Sequence, residues 1–407
     1  MPEDGYIFII NPCDEMYRRY ILEDISNYYS RLALITTKEI SWEANYVKNA
    51  FIIKEYNEAN IIEVIQNFKI FHPVSGILTY SEKLTNIVGN VADYFGFRGV
   101  SKDAAQSIRN KFIMRQKFKE NSAPTPDFQL IRSTVEASEF IKKNGFPVVI
   151  KPTLGGSSEA VVKINDYAEL ERYFTHVYDL SFSKFGYSGI LIEEYIEGIE
   201  VSVEAAVNNG EVHIIMVTDK EKGAEPFFLE TGHIVPSQLP EEIKNVIRET
   251  AIKGIKALKI QNGITHTEIK WSKEKGPYVI EIGGRLGGDF IPHIVNLATG
   301  INLNTVLIDI ILGRELKIEQ TENNFCAVRF ICPKTTGIFL GFGNTEKVLQ
   351  KENAVSWKLK GTMGNKILLP PEEYQTRLGY YILKEKSYPL LAEKLDRITK
   401  NIELEIL

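Results

Sequence analysis

The sequence is short of the features that mark several large protein classes. It has three cysteines (Cys13, Cys326, Cys332) in 407 residues, with no CxxC and no cysteine–histidine spacing. That argues against a disulfide framework and a structural zinc site, and it suits a reducing compartment. No apolar run approaches the roughly 20 residues of a membrane span. The opening MPEDGYIFII carries acids where a secretory signal would carry a basic segment. Basic residues are not in excess: 48 Lys and Arg against 53 Asp and Glu leave a net charge of −5. A broad nucleic-acid surface is therefore not expected, although a site can still be locally positive. The expectation is a cytoplasmic, soluble, multidomain protein with no membrane or nucleic-acid partner. Its length allows roughly two to four domains.

What is present begins with alternation. Tyr6–Ile10, Leu32–Ile35, Phe51–Ile53 and Gly76–Thr79 are short apolar runs, and Glu58–Phe68 and Ser81–Phe95 between them are helix-compatible. Strands alternating with helices predict a parallel α/β sheet. No GxGxxG follows the first strand, so this is a Rossmann-like unit without the dinucleotide fingerprint. Ser101–Asn121 reads as one helix, ended by Pro124 and Pro126. Ser133 and Glu136 form a capping box, and Gly145 suits the end of that helix. Phe146–Pro152 is a buried strand ending in Lys151. From Ile190 to Ile282 the pattern is mostly strand, with Asn209-Gly210 as a hairpin turn. A second strand-rich run starts at Phe325, and a last helix covers Tyr388–Asn401. The expected division is 1–105, 106–188, 189–315 and 316–407. The class is α/β, with α+β character in the middle of the chain.

The segment ITHTEIKWSKEKGPYVIEIGGRLGGD carries the sharpest local signal. Ile264–Trp271 and Tyr278–Ile282 read as a hairpin around Ser272–Pro277. With Trp271 opposite Tyr278, Glu268 falls opposite Glu281. Two facing carboxylates repel each other. A hard divalent cation between them, Mg²⁺ above all, would remove the cost. The pair could instead face solvent, or a one-residue slip could separate it. Alternation places Gly283 and Arg285 on the Glu281 side, where a guanidinium could hold a developing anion. Lys151 followed by Gly155, Gly156, Ser157 and Ser158 is a plausible phosphate cradle, though a weak signal alone, because Gly-Gly-Ser-Ser is also a common turn. Lys220 and Lys222 read as solvated loop charges.

Taken in order, GFPVVIKPTLGGSS, ILIEEYIEG and HTEIKW…YVIEIGGRLGGD resemble the ATP-grasp superfamily, in its carboxylate–amine ligase branch. TDKEKGAEPFFLETGHIVPS is similar to the bacterial L-amino acid (dipeptide) ligases of the bacilysin type. The resemblance implies an ATP-grasp fold: a first lobe with a glycine-rich lid, and a second lobe with the metal site. It implies ATP as a cofactor, with one or two Mg²⁺ ions that Mn²⁺ could replace. Lys111 and Lys151 would contact phosphates, with Gly156, Ser157 and Ser158 folding over them. Glu193, Glu194, Tyr195 and Ile196 would form the adenine hinge, and Glu200 would accept from the ribose. Glu268 and Glu281 would hold the metal. Arg285 would steady an acyl-phosphate. Glu230, His233, Arg285 and Gly288 would line the substrate pocket, His233 orienting a carboxylate or helping to deprotonate the amine. Arg329 aligns loosely with a substrate-contacting arginine of biotin carboxylase. The activity implied is ATP-dependent joining of two amino acids, releasing ADP and phosphate, in a chain that could form a homodimer. Another carboxylate–amine ligase or carboxylase, or a non-catalytic ATP-binding module, would share these motifs. One position departs: many relatives have Glu-x-Asn-x-Arg, and here Gly283 stands at the asparagine.

Overall fold

The computed structural model describes residues 5–407 except 157, 187, 188, 224 and 375. The first unit is the expected α/β layer. Its parallel sheet runs in the order Asn49–Ile52, Leu32–Thr36, Tyr6–Ile10, Val74–Thr79. Helices Glu15–Tyr28, Glu58–Lys69 and Thr85–Phe95 lie between or after the strands. As usual in parallel sheets, the loops at the carboxyl ends of the strands are where a ligand would be met. Glu82, just beyond Val74–Thr79, is the residue this unit contributes to the cleft described below.

The expected single helix over Ser101–Asn121 is two, Lys102–Arg109 and Lys111–Glu120. Asn110 breaks it: its backbone is extended (φ −108°, ψ 107°), and its Oδ1 accepts from the amides of Phe112 and Ile113 at 3.0 and 3.2 Å. An asparagine side chain that caps a new turn outcompetes helix continuation. The break places Lys111 in the first turn of the second helix, with its side chain 6% exposed.

A four-stranded antiparallel sheet follows, ordered Phe128–Ile131, Ile190–Glu194, Val148–Pro152, Val162–Ile164. Helices Thr134–Asn144 and Tyr167–Phe185 pack into the same apolar cluster. The largest sheet has eight antiparallel strands. They run Gly276–Gly283, Gly263–Ser272, Ile199–Asn208, Glu211–Lys222, Glu230–Val235, Phe325–Phe330, Gly379–Glu385, Ser356–Leu359. Asn209 and Gly210 turn its central hairpin with φ of +53° and +81°, as the two-residue turn requires. Strands on both sides of residue 315 share this sheet.

The helices Ile291–Thr299 and Leu303–Leu312 are packed in one core with Ile7, Ile9 and Leu34 of the parallel sheet and Ala206 and Ile264 of the large sheet. They hold the first unit against the large sheet, which is how residues near 82 and 285 come together. Among the described residues no single helix is long and apolar enough to cross a membrane.

Candidate active site

The facing carboxylates are present, by a route that differs in detail from the expected one. Lys270, not Trp271, lies opposite Tyr278, and Trp271 lies opposite Pro277. A bulge at Ile280 then restores the register, so that Glu268 is opposite Glu281 and His266 is opposite Gly283. The extra residue is used: Ile280 O accepts from Arg115 Nη2 at 2.6 Å. Bulges next to functional residues re-aim a strand in this way.

One cleft of about 1070 Å³ collects most of the expected residues. Lys111, Lys151, Gly156, Ser158, Glu193, Glu194, Tyr195, Ile196, Glu200, Glu230, Glu268, Glu281 and Arg285 all line it. Ser157 lies outside the described residues. His233 and Gly288 are not on its wall, and His233 stands behind Glu230.

Cations and carboxylates alternate along the wall. Lys111 Nζ is 2.9 Å from Glu281 Oε1 and 3.1 Å from Gly155 O, so one ammonium ties the strand Gly276–Gly283 to the glycine loop. Lys151 Nζ and Arg115 Nε each reach a different oxygen of Glu193 at 2.5 Å. Burial opposes charge on Glu193, but Arg115 and Lys151 together hold its carboxyl below the usual range. For Lys151 burial wins and lowers the ammonium's pKa, with Glu193 pulling the other way. Arg115 was not anticipated from sequence; only its burial shows its role.

Lys220 and Lys222 are not solvated loop charges. They lie in Glu211–Lys222, and alternation points both at the carboxylates of neighbouring strands. The side chain of Lys220 is 0% exposed, 2.6 Å from Glu230 and Glu268 and 3.3 Å from Glu200. Against burial, Glu230, then Glu268 and Glu200, raise its pKa well above the usual lysine value. Lys222 also pairs with Glu200. Glu268 in turn is held far below the ordinary carboxyl range, against burial, by Lys220 and then His266.

Behind Glu230 is a second group. His233 Nε2 lies 3.5 Å from both Glu230 Oε2 and Asp289 Oδ2. Arg377 grips both Asp289 oxygens at 2.6 and 2.7 Å, donates to Glu230 O at 3.0 Å, and lies 3.6 Å over the Phe330 ring. Burial opposes the His233 cation, and the hydrogen bonds to Asp289 and Glu230 outweigh it, so its pKa is raised. Asp289 and Arg377 were missed in the sequence. The GGD after Arg285 was a faint signal for the first; Arg377 had none. Arg329 pairs with Glu221 and donates to the backbone.

The segment expected to form the hinge closes the other end. Any Cβ at Gly198 (φ +150°) would stand 2.1 Å from Trp271 O, so the chain can pass there only as glycine. Lys270 Nζ donates to Ile196 O at 2.8 Å and stands 4.2 Å from the Tyr195 ring centroid.

Residues 144–293 match the ATP-grasp domain family. This chain carries an ATP-grasp domain. The carboxylate pair, hinge and glycine loop all fall within that span. The whole fold is similar to a crystal structure of an L-amino acid ligase from Bacillus licheniformis, with a TM-score of 0.84 and 23% identity over 100% of both chains. The sequence is 28% identical to the alanine–anticapsin ligase of Bacillus subtilis (strain 168) over 273 residues, 62% of this chain and 57% of that protein. It is also 25% identical to biotin carboxylase 1 of the same organism over 278 residues, 66% of this chain and 60% of that one. The match thus spans less than two thirds of the length of either of these two relatives.

Proposed function

We propose that the protein is an ATP-dependent carboxylate–amine ligase that joins two L-amino acids through an aminoacyl-phosphate, releasing ADP and phosphate. The observation that carries this reading is the single cleft in which Glu268 and Glu281 face each other between Lys111, Lys151 and Arg285. Similarity to the L-amino acid ligases supports the amino-acid substrates.

In this reading a substrate carboxylate oxygen attacks the γ-phosphorus of ATP, and the bond to the ADP oxygen breaks. A neutral amine then attacks the acyl carbon, phosphate leaves with the acyl–oxygen bond pair, and the proton lost from nitrogen ends on the released phosphate. The protein's part is positioning and charge compensation. Lys111 and Lys151 take the phosphates, and Ile196 and its neighbours take the adenine. Arg285 takes the acyl-phosphate. Glu230 receives the substrate ammonium beside Asp289. The raised pKa of His233 favours its cation, which lies behind the cleft wall between Glu230 and Asp289 and so suits holding those two carboxylates in place better than accepting a proton from the amine. Glu268 and Glu281 offer only oxygen donors, a set that fits a hard ion such as Mg²⁺, which would screen the triphosphate charge. The ion would share these carboxylates with Lys111 and Lys220.

The direct test supplies ATP, Mg²⁺ and pairs from a panel of twenty amino acids, and follows phosphate, nucleotide and condensed product. Amino-acid-dependent release of phosphate and ADP with a dipeptide is expected. No such release from any pair would sink the dipeptide reading, and AMP with pyrophosphate would sink acyl-phosphate chemistry.

Lys270 adds a pH dependence. Burial and then Lys222 lower its pKa to about 8, against the pull of Glu200 and Glu225. Lys163 also faces it across the Tyr195 ring. Its cation holds the hinge carbonyl, so KM for ATP should rise as pH passes from about 7 to about 9, and Lys270→Met should flatten that rise. A wild-type KM that stays constant across this range would count against it. The effect on folding has the opposite sign. Between about 8 and the ordinary 10.5, the unfolded chain binds more protons at this site, so stability increases with pH.

A further inference from the structure

We propose that Glu82 is a positioning residue for Arg285, and that residue 283 is glycine because the Glu82–Arg285 pair fills the space beside it. The proposal rests on the ligase reading, in which Arg285 meets the reacting carboxylate. Glu82 opens the short 3-10 helix Glu82–Leu84 that follows Val74–Thr79, on the first unit, 203 positions from Arg285 along the chain. Its Oε2 accepts from Arg285 Nε at 2.5 Å, and its Oε1 lies 3.6 Å from Arg109 Nη1. Arg285 Nη1 donates to Leu286 O at 2.7 Å. Two edges of the planar fork are therefore held, and Nη2 is bonded to none of the described residues. A guanidinium fixed on two sides presents its third in one direction, which is what an anion forming at a defined place requires. Both side chains are largely buried, at 16% and 18% exposed, so the pair is poorly screened and keeps its geometry.

Gly283 explains how the pair fits. A Cβ built there would lie 3.6 Å from Glu82 Oε2 and 3.7 and 3.9 Å from Arg285 Cγ and Cζ. The Arg285 side chain thus folds back over the strand position that has no side chain of its own. A methyl group would be in ordinary contact; a longer side chain, extending outward from that Cβ, would enter the pair. The glycine that departs from the Glu-x-Asn-x-Arg pattern is, on this reading, what lets the first unit reach Arg285.

Glu82→Gln keeps the shape and removes the charge. It should lower kcat for amino-acid-dependent phosphate release about 10- to 100-fold, with KM for ATP within about twofold of wild type. Glu82→Asp, one methylene short, should not rescue it. Gly283→Asn should cause a similar fall, and the double variant should fall no further than either single one, because both break the same pair. A kcat within about twofold of wild type in Glu82→Gln, or losses that multiply in the double variant, would overturn the proposal. Labelling of Arg285 by phenylglyoxal, read by peptide mass spectrometry, needs no turnover. It should be several-fold faster in Glu82→Gln than in wild type, and equal rates would also overturn the proposal. A wild-type protein that releases no phosphate with any amino acid would instead remove the ligase reading, while the labelling comparison would still decide whether Glu82 holds Arg285.

Discussion

Glu281→Gln is expected to lower turnover by about a thousandfold or more, which is about 4 kcal/mol of transition-state stabilisation. The substitution keeps the shape of the side chain and removes its charge. It would strip one of the two carboxylates that face each other across Gly263–Ser272 and Gly276–Gly283. It would also weaken the hold on Lys111, whose Nζ sits 2.9 Å from Glu281 Oε1, while leaving it an amide oxygen there and Gly155 O as acceptors. The fold should be unaffected, because the Glu281 side chain is 24% exposed on the cleft wall and leaves no buried void. Single-turnover phosphate release beside a circular-dichroism melt checks both halves. Activity within about tenfold of wild type, with the same melt, would refute the metal role of this residue.

The second large effect is on stability. Glu193→Ala should cost about 3–5 kcal/mol of unfolding free energy, because it leaves two buried cations without their partner. The side chains of Arg115 and Lys151 are 0% and 5% exposed, and Glu193 touches both at 2.5 Å. The same pair predicts an acid sensitivity. The folded pKa of Glu193 is lowered, so its stabilisation is present above the ordinary carboxyl range and is lost as pH falls through the folded value. Glu193→Ala should therefore flatten the acid limb of the stability curve. Denaturant unfolding at several pH values measures this, and a loss under about 1 kcal/mol at neutral pH would contradict it. Since Lys151 also reaches the cleft, nucleotide affinity should fall in parallel.

These two expectations differ in how far they could be read beforehand. The Glu268–Glu281 pairing follows from strand alternation and a short turn, both properties of neighbouring residues. It survives although the hairpin register at Trp271 is one residue off, because the bulge at Ile280 returns the offset. The Arg115–Glu193–Lys151 group carries no such signal: Arg115 sits on a helix face that sequence alone leaves open to solvent, and its partners, Glu193 and Ile280 O, lie 78 and 165 positions away. Lys220 shows the same limit in reverse. Its charge-rich surroundings suggest a loop, yet the strand continues through it and three carboxylates from three other strands surround it.

The local units could be read from neighbouring residues: the parallel α/β start, the Asn209-Gly210 hairpin, the facing glutamates and the lysine before the glycine loop. Periodicity, turn chemistry and capping act over a few residues, and they are written in consecutive letters. Which charges neutralise which depends on how the elements pack. Glu82 with Arg285, Lys111 with Glu281 and Asp289 with Arg377 are separated by 203, 170 and 88 positions. Each pair forms because sheet packing brings the two groups into a poorly solvated cleft, where a charge without a partner is too costly to keep.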